Sequence, residues 1–184
     1  MAGLVRCATV CLSVAGLLAM SFGADAGLPP EIKAKIDAKI AIYKAWGAAS
    51  EIVKAVKDHN ANPPAEYKDM TNDKWKAVTV MSPEVRALTK NDVAAFMKAH
   101  KDSCVVKAFV SGADGAKVGF LAKTLAWSHA GAPKHEVPMT GKIWIGHVEV
   151  DKGTGVEAVQ VGFPVLDGGK PIGSIVIDFA TSKL

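Results

Sequence analysis

Val161-Gly162-Phe163-Pro164-Val165-Leu166-Asp167-Gly168-Gly169-Lys170-Pro171-Ile172-Gly173-Ser174-Ile175-Val176-Ile177-Asp178 is two runs rich in β-branched residues on either side of an Asp-Gly-Gly turn. Runs of this kind with so short a link predict an antiparallel hairpin. Ile143 to Val150 is a further run, joined to it by Asp151-Lys152-Gly153-Thr154-Gly155. Three sequential antiparallel strands are therefore expected to close the chain: Ile143 to Val150, Val156 to Val165 and Pro171 to Phe179. Earlier, Cys104 to Val110 and Ala116 to Leu121 flank the turn Ser111 to Gly115 and make another hairpin. Ala122 to Gly141, between the two β units, carries two prolines and no steady period. A connection of that length inside a small domain is functional or disordered.

The preceding half has a helical period. After Pro29-Pro30, which suit a first helical turn, Ile32, Ile36, Ile40, Tyr43, Trp46, Val53 and Val56 recur at steps of three and four or their multiples. One helix from Glu31 to Asp58 would run roughly 42 Å at ~1.5 Å per residue, longer than a domain of this size needs for its own core. Part of it is therefore expected to pair with a second copy, giving a homodimer through the N-terminal helix. Tyr67 to Val80 reads as loop with a short turn around Trp75. Two short helices follow, one starting at Ser82-Pro83-Glu84 and one at Asn91-Asp92. The fold class is thus α+β, with a long N-terminal helix and short helices packed on a five-stranded antiparallel sheet. Residues 27–103 form its helical part and residues 104–184 its sheet part.

Residues 1–26 read as a signal peptide: one charge at Arg6, an apolar stretch from Cys7 to Phe22, and a small-residue site at Ala24-Asp25-Ala26. Cleavage near Ala26 would put the protein in the periplasm or outside the cell and remove Cys7 and Cys11. Cys104 would remain, and one thiol makes no intrachain disulfide. Arg6 and Asp25 cancel, so the formal net charge of +4 also holds for the mature chain. The lysines are scattered and not interleaved with aromatics, which argues against a nucleic-acid track. No nucleophile and base, paired carboxylates or phosphate loop stand together, so no enzymatic activity is expected. No cofactor is implied, and the missing Cys-x-x-Cys-His excludes covalent haem in its usual form.

The element order, together with several phrases, resembles the Cache or PDC family of extracytoplasmic sensor domains. The phrases are Val105-Val106-Lys107-Ala108-Phe109-Val110 with its Asp114-Gly115 turn, Val161 to Val165 with Asp167-Gly168, and Pro171-Ile172-Gly173 to Asp178. The resemblance covers residues 27–184. It implies a small-molecule ligand held against one face of the sheet under the long loop, which maps the pocket to Ala122 to Gly141 and the third strand. Family members are usually the outer domains of membrane kinases and chemoreceptors, so a separate membrane receptor or kinase is an implied partner. Those that bind amino acids use an Arg-x-Trp pair in this region and an Asp ending the last strand. Asp178 fits the second position. Arg86 is the last arginine, which leaves Lys142-Ile143-Trp144 as the nearest substitute for the first. A lysine attracts a carboxylate as a point charge without the fork of guanidinium.

The ligand-binding candidates are Trp127, His129, Lys134, Lys142, Trp144 and Asp178, for a small anionic or zwitterionic metabolite. Each has a plainer reading. The tryptophans can be core residues, the lysines solvated, Asp178 a strand end at the surface. His129, His135 and His147 form an alternative set for a periplasmic metal-binding protein, although none of them shares helical i, i+4 spacing and Pro138 is expected to break any helix through His135. A helix-mediated interaction module without a ligand is the other alternative.

Overall fold

A computed structural model of the protein describes residues 27–184. The expected leader, with Cys7 and Cys11, lies outside the described residues. The helices are α1 (Pro30–Tyr43), α2 (Ser50–Ala61), α3 (Asn72–Ala77), α4 (Pro83–Lys90), α5 (Asp92–His100) and α6 (Pro133–Met139). The strands are β1 (Val105–Ser111), β2 (Lys117–Phe120), β3 (Trp144–Val150), β4 (Glu157–Asp167) and β5 (Lys170–Ala180). They form one antiparallel sheet in the order β2-β1-β5-β4-β3. Both hairpins and the closing β3-β4-β5 meander are those expected from the turns.

Alternation along the strands gives the sheet two different faces. Ala108 and Val110 of β1, Val159, Val161, Phe163 and Val165 of β4, and Ile175, Ile177 and Phe179 of β5 are buried beneath the helices. The residues between them, Lys107, Phe109 and Ser111, Gln160 and Gly162, Ser174, Val176 and Asp178, form the opposite face. Register aligns that second set across strands: Lys107 is opposite Asp178, Phe109 opposite Val176, Ser111 opposite Ser174 and Gln160 opposite Asp178.

The expected continuous helix from Glu31 to Asp58 is divided. After Tyr43 the chain tightens into a 3₁₀ turn, Lys44–Ala48, then Ala49 is extended (φ −66°, ψ 135°) and α2 begins at Ser50. The cause is a close approach to the sheet: a Cβ on Gly47 would run into the Pro164 carbonyl of β4. The break turns Trp46 inward, where its ring meets Tyr43 at 4.8 Å and Phe96 at 5.7 Å. Ile36, Ile40, Tyr43, Trp46 and Val56 are consequently all buried in the domain's own core, and Val53 is half-buried. A bent helix lets one sheet cover both segments, which removes the uncovered stripe from which pairing was expected. Burial of each large side chain contributes roughly 1.5–3 kcal/mol.

A smaller core covers part of the opposite face. Trp75 is fully buried on α3, where the sequence suggested only a turn, and packs with Tyr67, Leu88, Phe109, Phe120, Trp127 and Val176. Its Nε1 donates to the Thr124 carbonyl at 2.8 Å, tying α3 to the long loop. That loop is ordered throughout. Ala116 bridges Ser128, His129 N–H donates to the Gly115 carbonyl, and α6 crosses β4 at Gly162, where a Cβ would meet the Lys134 carbonyl at 2.7 Å. The expectation that Pro138 stops a helix at His135 is corrected: α6 runs through Pro138. Pro138 leaves the Lys134 carbonyl without its i+4 donor, and the last turn closes instead from Thr140 and Gly141, whose N–H groups donate to the carbonyls of Val137 and Pro138.

Candidate functional site

The polar residues on the second face need partners, because they lie between sheet and loop where water is scarce. They border a cavity of about 190 Å³ lined by Lys107 and Phe109 of β1, Gln160 of β4, Glu149 and Val150 of β3, Asp151 and Lys152 after it, and Thr124, Leu125, Ala126, His129 and Lys134 of the loop and α6. The volume lies below the 300–1,000 Å³ typical of drug-sized ligand sites and suits a small metabolite.

Lys107 and Asp151 close one part of it with an ion pair of 2.8 Å, both side chains nearly buried. Asp151 also accepts from the backbone N–H groups of Gly153 and Thr154, so the β3–β4 turn is built around this carboxylate. Burial works to raise its pKa, but the hydrogen bond and charge of Lys107 prevail and hold it below the usual range. Lys134 Nζ donates to Gln160 Oε1 at 2.9 Å, and Gln160 Nε2 donates to Asp178 Oδ2 at 3.1 Å. Lys134 has no carboxylate at ion-pair distance among the described residues. Burial lowers its pKa, while the Asp178 charge works the other way.

Asp178 is fully buried, and its Oδ1 has no hydrogen-bond partner. Burial pushes its pKa up to about 6, against the Gln160 hydrogen bond and the lysine charges. On the β1 side of the cavity, His129 stacks on Phe109 with ring centroids 4.8 Å apart, and its Nδ1 lies 2.6 Å from Lys117 Nζ. Burial and the neighbouring lysines push the imidazole far below its ordinary pKa, so the ring is neutral.

No protein-family model matches this chain, and no curated protein is significantly similar to it. Solved structures do share its architecture. The sensor domain of the histidine kinase DctB from V. cholerae matches with a TM-score of 0.51 at 14% identity, over 82% of this chain and 51% of that one. The fold is that of a Cache/PDC-type sensor domain. The ligand-binding domain of the Campylobacter jejuni chemoreceptor Tlp3 in complex with 4-methylisoleucine gives a TM-score of 0.45 at 12% identity, over 83% and 56% of the two chains. That of the Pseudomonas fluorescens chemoreceptor CtaA in complex with L-serine gives 0.42 at 11%, over 83% and 54%. The chain thus spans about half the length of these solved domains, and at these identities the likeness is one of fold.

Within this Cache-type fold the six residues named from sequence do not all meet. His129 and Lys134 line the cavity, and Asp178 lies behind its Gln160 wall. Trp127 is turned away into the smaller core, stacked on Tyr67 at 4.8 Å and tilted against Trp75 at 5.2 Å. Lys142 is exposed ahead of β3, and Trp144 lies half-buried over Gly146; neither lines the cavity. The three histidines of the metal alternative do not gather in one place. His135 Nδ1 lies 2.8 Å from Ser174 Oγ and its Nε2 faces the Ala113 carbonyl, while His147 is on the exposed part of β3. Among the described residues, no three His, Cys, Asp or Glu side chains gather where they could hold a metal ion.

Lys107, Lys117 and Gln160 were missed by sequence reasoning. The signal for them was present: each is a long polar side chain inside an otherwise apolar run, Val105-Val106-Lys107-Ala108-Phe109, Ala116-Lys117-Val118 and Val159-Gln160-Val161.

Proposed function

We propose that the chain is an extracytoplasmic sensor module that binds a small anionic or zwitterionic metabolite in the cavity between the sheet and the 122–141 loop. The observation that carries this reading is Lys134, a cation in the cavity wall with a neutral amide as its hydrogen-bond partner and no carboxylate at ion-pair distance among the described residues. A carboxylate entering the cavity would meet Lys134 as a point charge, with the apolar wall of Phe109 beside it. Glu149 and Asp178 give an amino group on the same ligand an acidic neighbourhood. Binding would bridge the loop to the sheet and so pass a signal to a partner receptor or kinase.

Thermal unfolding against a panel of small carboxylates, amino acids and divalent metals tests the reading. A ligand at a hundred times its dissociation constant stabilises the native state by ~2.7 kcal/mol. The expected result is a rise in Tm with at least one carboxylate or amino acid that disappears in Lys134→Met. A panel without effect, or a shift unchanged in Lys134→Met, overturns it.

A further inference from the structure

Lys117 lies one layer behind the cavity. It opens β2 on the cavity side of the sheet and is only 1% exposed. Its Nζ is 3.2 Å from Ser111 Oγ, 2.6 Å from His129 Nδ1 and 4.3 Å from the centre of the Phe109 ring. No carboxylate stands at ion-pair distance among the described residues. The titratable and charged groups that face it are Lys107 from β1, Lys134 and His135 from α6 and Asp114 from the β1–β2 turn, with the neutral His129 between it and the cavity. Asp114 is itself engaged by His59 Nε2, at 3.3 Å. Burial and the Lys134 charge therefore favour a neutral amine over an ammonium in the ligand-free protein.

His129 connects this amine to the cavity. One ring nitrogen is taken by Lys117, and Nε2 has no hydrogen-bond partner among the described residues. An ammonium has only donors. Once Lys117 is protonated, Nδ1 must accept and the ring proton must sit on Nε2, which makes His129 a donor towards an occupant of the cavity.

We propose that the site takes up a proton together with its anion: Lys117 receives the proton, donates to Nδ1 of His129, and the Nε2–H so fixed donates to the anion. This rests on the reading of the cavity as an anion site. The missing counter-charge for Lys117 is then the ligand itself, one imidazole away. The proton comes from solvent, the amine becomes an ammonium, and no other bond changes. Lys117 is a positioning residue, since it reaches the ligand only through His129. Because linkage is reciprocal, affinity for the anion falls about tenfold per pH unit between the free and ligand-bound ionisation of Lys117 and is level below that window.

Calorimetric titration with acetate, malonate and glycine at pH 7, 8 and 9, each in two buffers of different ionisation enthalpy, reads protons taken up per ligand bound. NMR of 13Cε-labelled lysine reads the charge of Lys117 in the free protein, with Lys117→Met for assignment. The expected results are a neutral Lys117 before binding, uptake approaching one proton with the tightest probe, and no uptake in Lys117→Met. Should that variant fail to fold, the wild-type measurements suffice. An ammonium signal from free Lys117 throughout this pH range overturns the proposal whatever binds. Binding without proton uptake overturns it and leaves the anion site standing. Failure of every probe to bind removes the anion site and the proposal together.

Discussion

Lys107 and Asp178 stand opposite each other in the β1–β5 ladder, yet Lys107 makes its ion pair with Asp151, 2.8 Å away at the β3–β4 turn. The buried carboxylate of β5 is left with one hydrogen bond, from Gln160, and one unpartnered oxygen. A charge in that position costs stability, and the cost titrates.

Asp178→Asn should stabilise the protein at pH 7.5. The folded pKa is raised from 3.8 to about 6, so the native state binds more protons than the unfolded state between those values, and stability falls as pH rises through them. The shift corresponds to about 3 kcal/mol at most, since a pKa unit is worth ~1.4 kcal/mol. Urea unfolding from pH 4 to 8 should show the two proteins converging towards pH 4. A constant gap across the range would place the effect elsewhere.

Removing one member of the Lys107–Asp151 pair leaves the other buried and unpaired. Asp151→Asn is expected to cost about 3–5 kcal/mol, and the double variant Lys107→Met, Asp151→Asn distinctly less. The Asp151 pKa is depressed, so its contribution is present above the unfolded value near 3.8 and fades as pH falls below it. A double-mutant cycle in urea measures the coupling; additive losses would mean that the pair contributes nothing jointly.

Gly162→Ala tests how α6 is seated. The new Cβ would lie 2.7 Å from the Lys134 carbonyl and 3.1 Å from Pro138 Cγ, so the helix must lift, at ~1–3 kcal/mol. Amide exchange should quicken in residues 129–141 ahead of the rest of the chain. Uniform quickening would show that the loop does not open on its own.

Ile40→Lys with Tyr43→Lys should unfold the domain. Both residues are buried beneath the sheet, and Tyr43 Oη also accepts from the Asp102 N–H at 2.9 Å. Circular dichroism and sedimentation separate the outcomes: a folded variant that merely dissociates from a dimer would show that this face serves association after all.

Export predicts a mature protein beginning at Gly27 and recovered outside the cytoplasm. Intact-mass measurement on protein from a native-like host decides this, and a full-length chain retained in membranes would mean an anchor.

The meander was legible in Ile143 to Phe179 because strand alternation and Asp-Gly turns act between near neighbours, and Asn91 was legible as a cap because its side chain meets Ala94 N–H only three residues away. Tertiary contacts decided the rest. The helix breaks before α2 because Gly47 passes under Pro164, a residue far along the chain, and α6 continues through Pro138 where its last turn closes from Thr140 and Gly141 and it lies on Gly162. The same division holds at the site. His129 and Lys134 could be named because a loop rich in histidine and tryptophan is chemically unusual by composition. Lys107, Lys117 and Gln160 could not, since a polar residue in a strand looks the same whether it faces solvent or a buried cavity. Only the register that sets Lys107 and Gln160 on either side of Asp178 brings them to one place, and although Gln160 follows from the β4–β5 hairpin, the place of Lys107 is fixed by the pairing of β1 with β5, strands far apart in sequence.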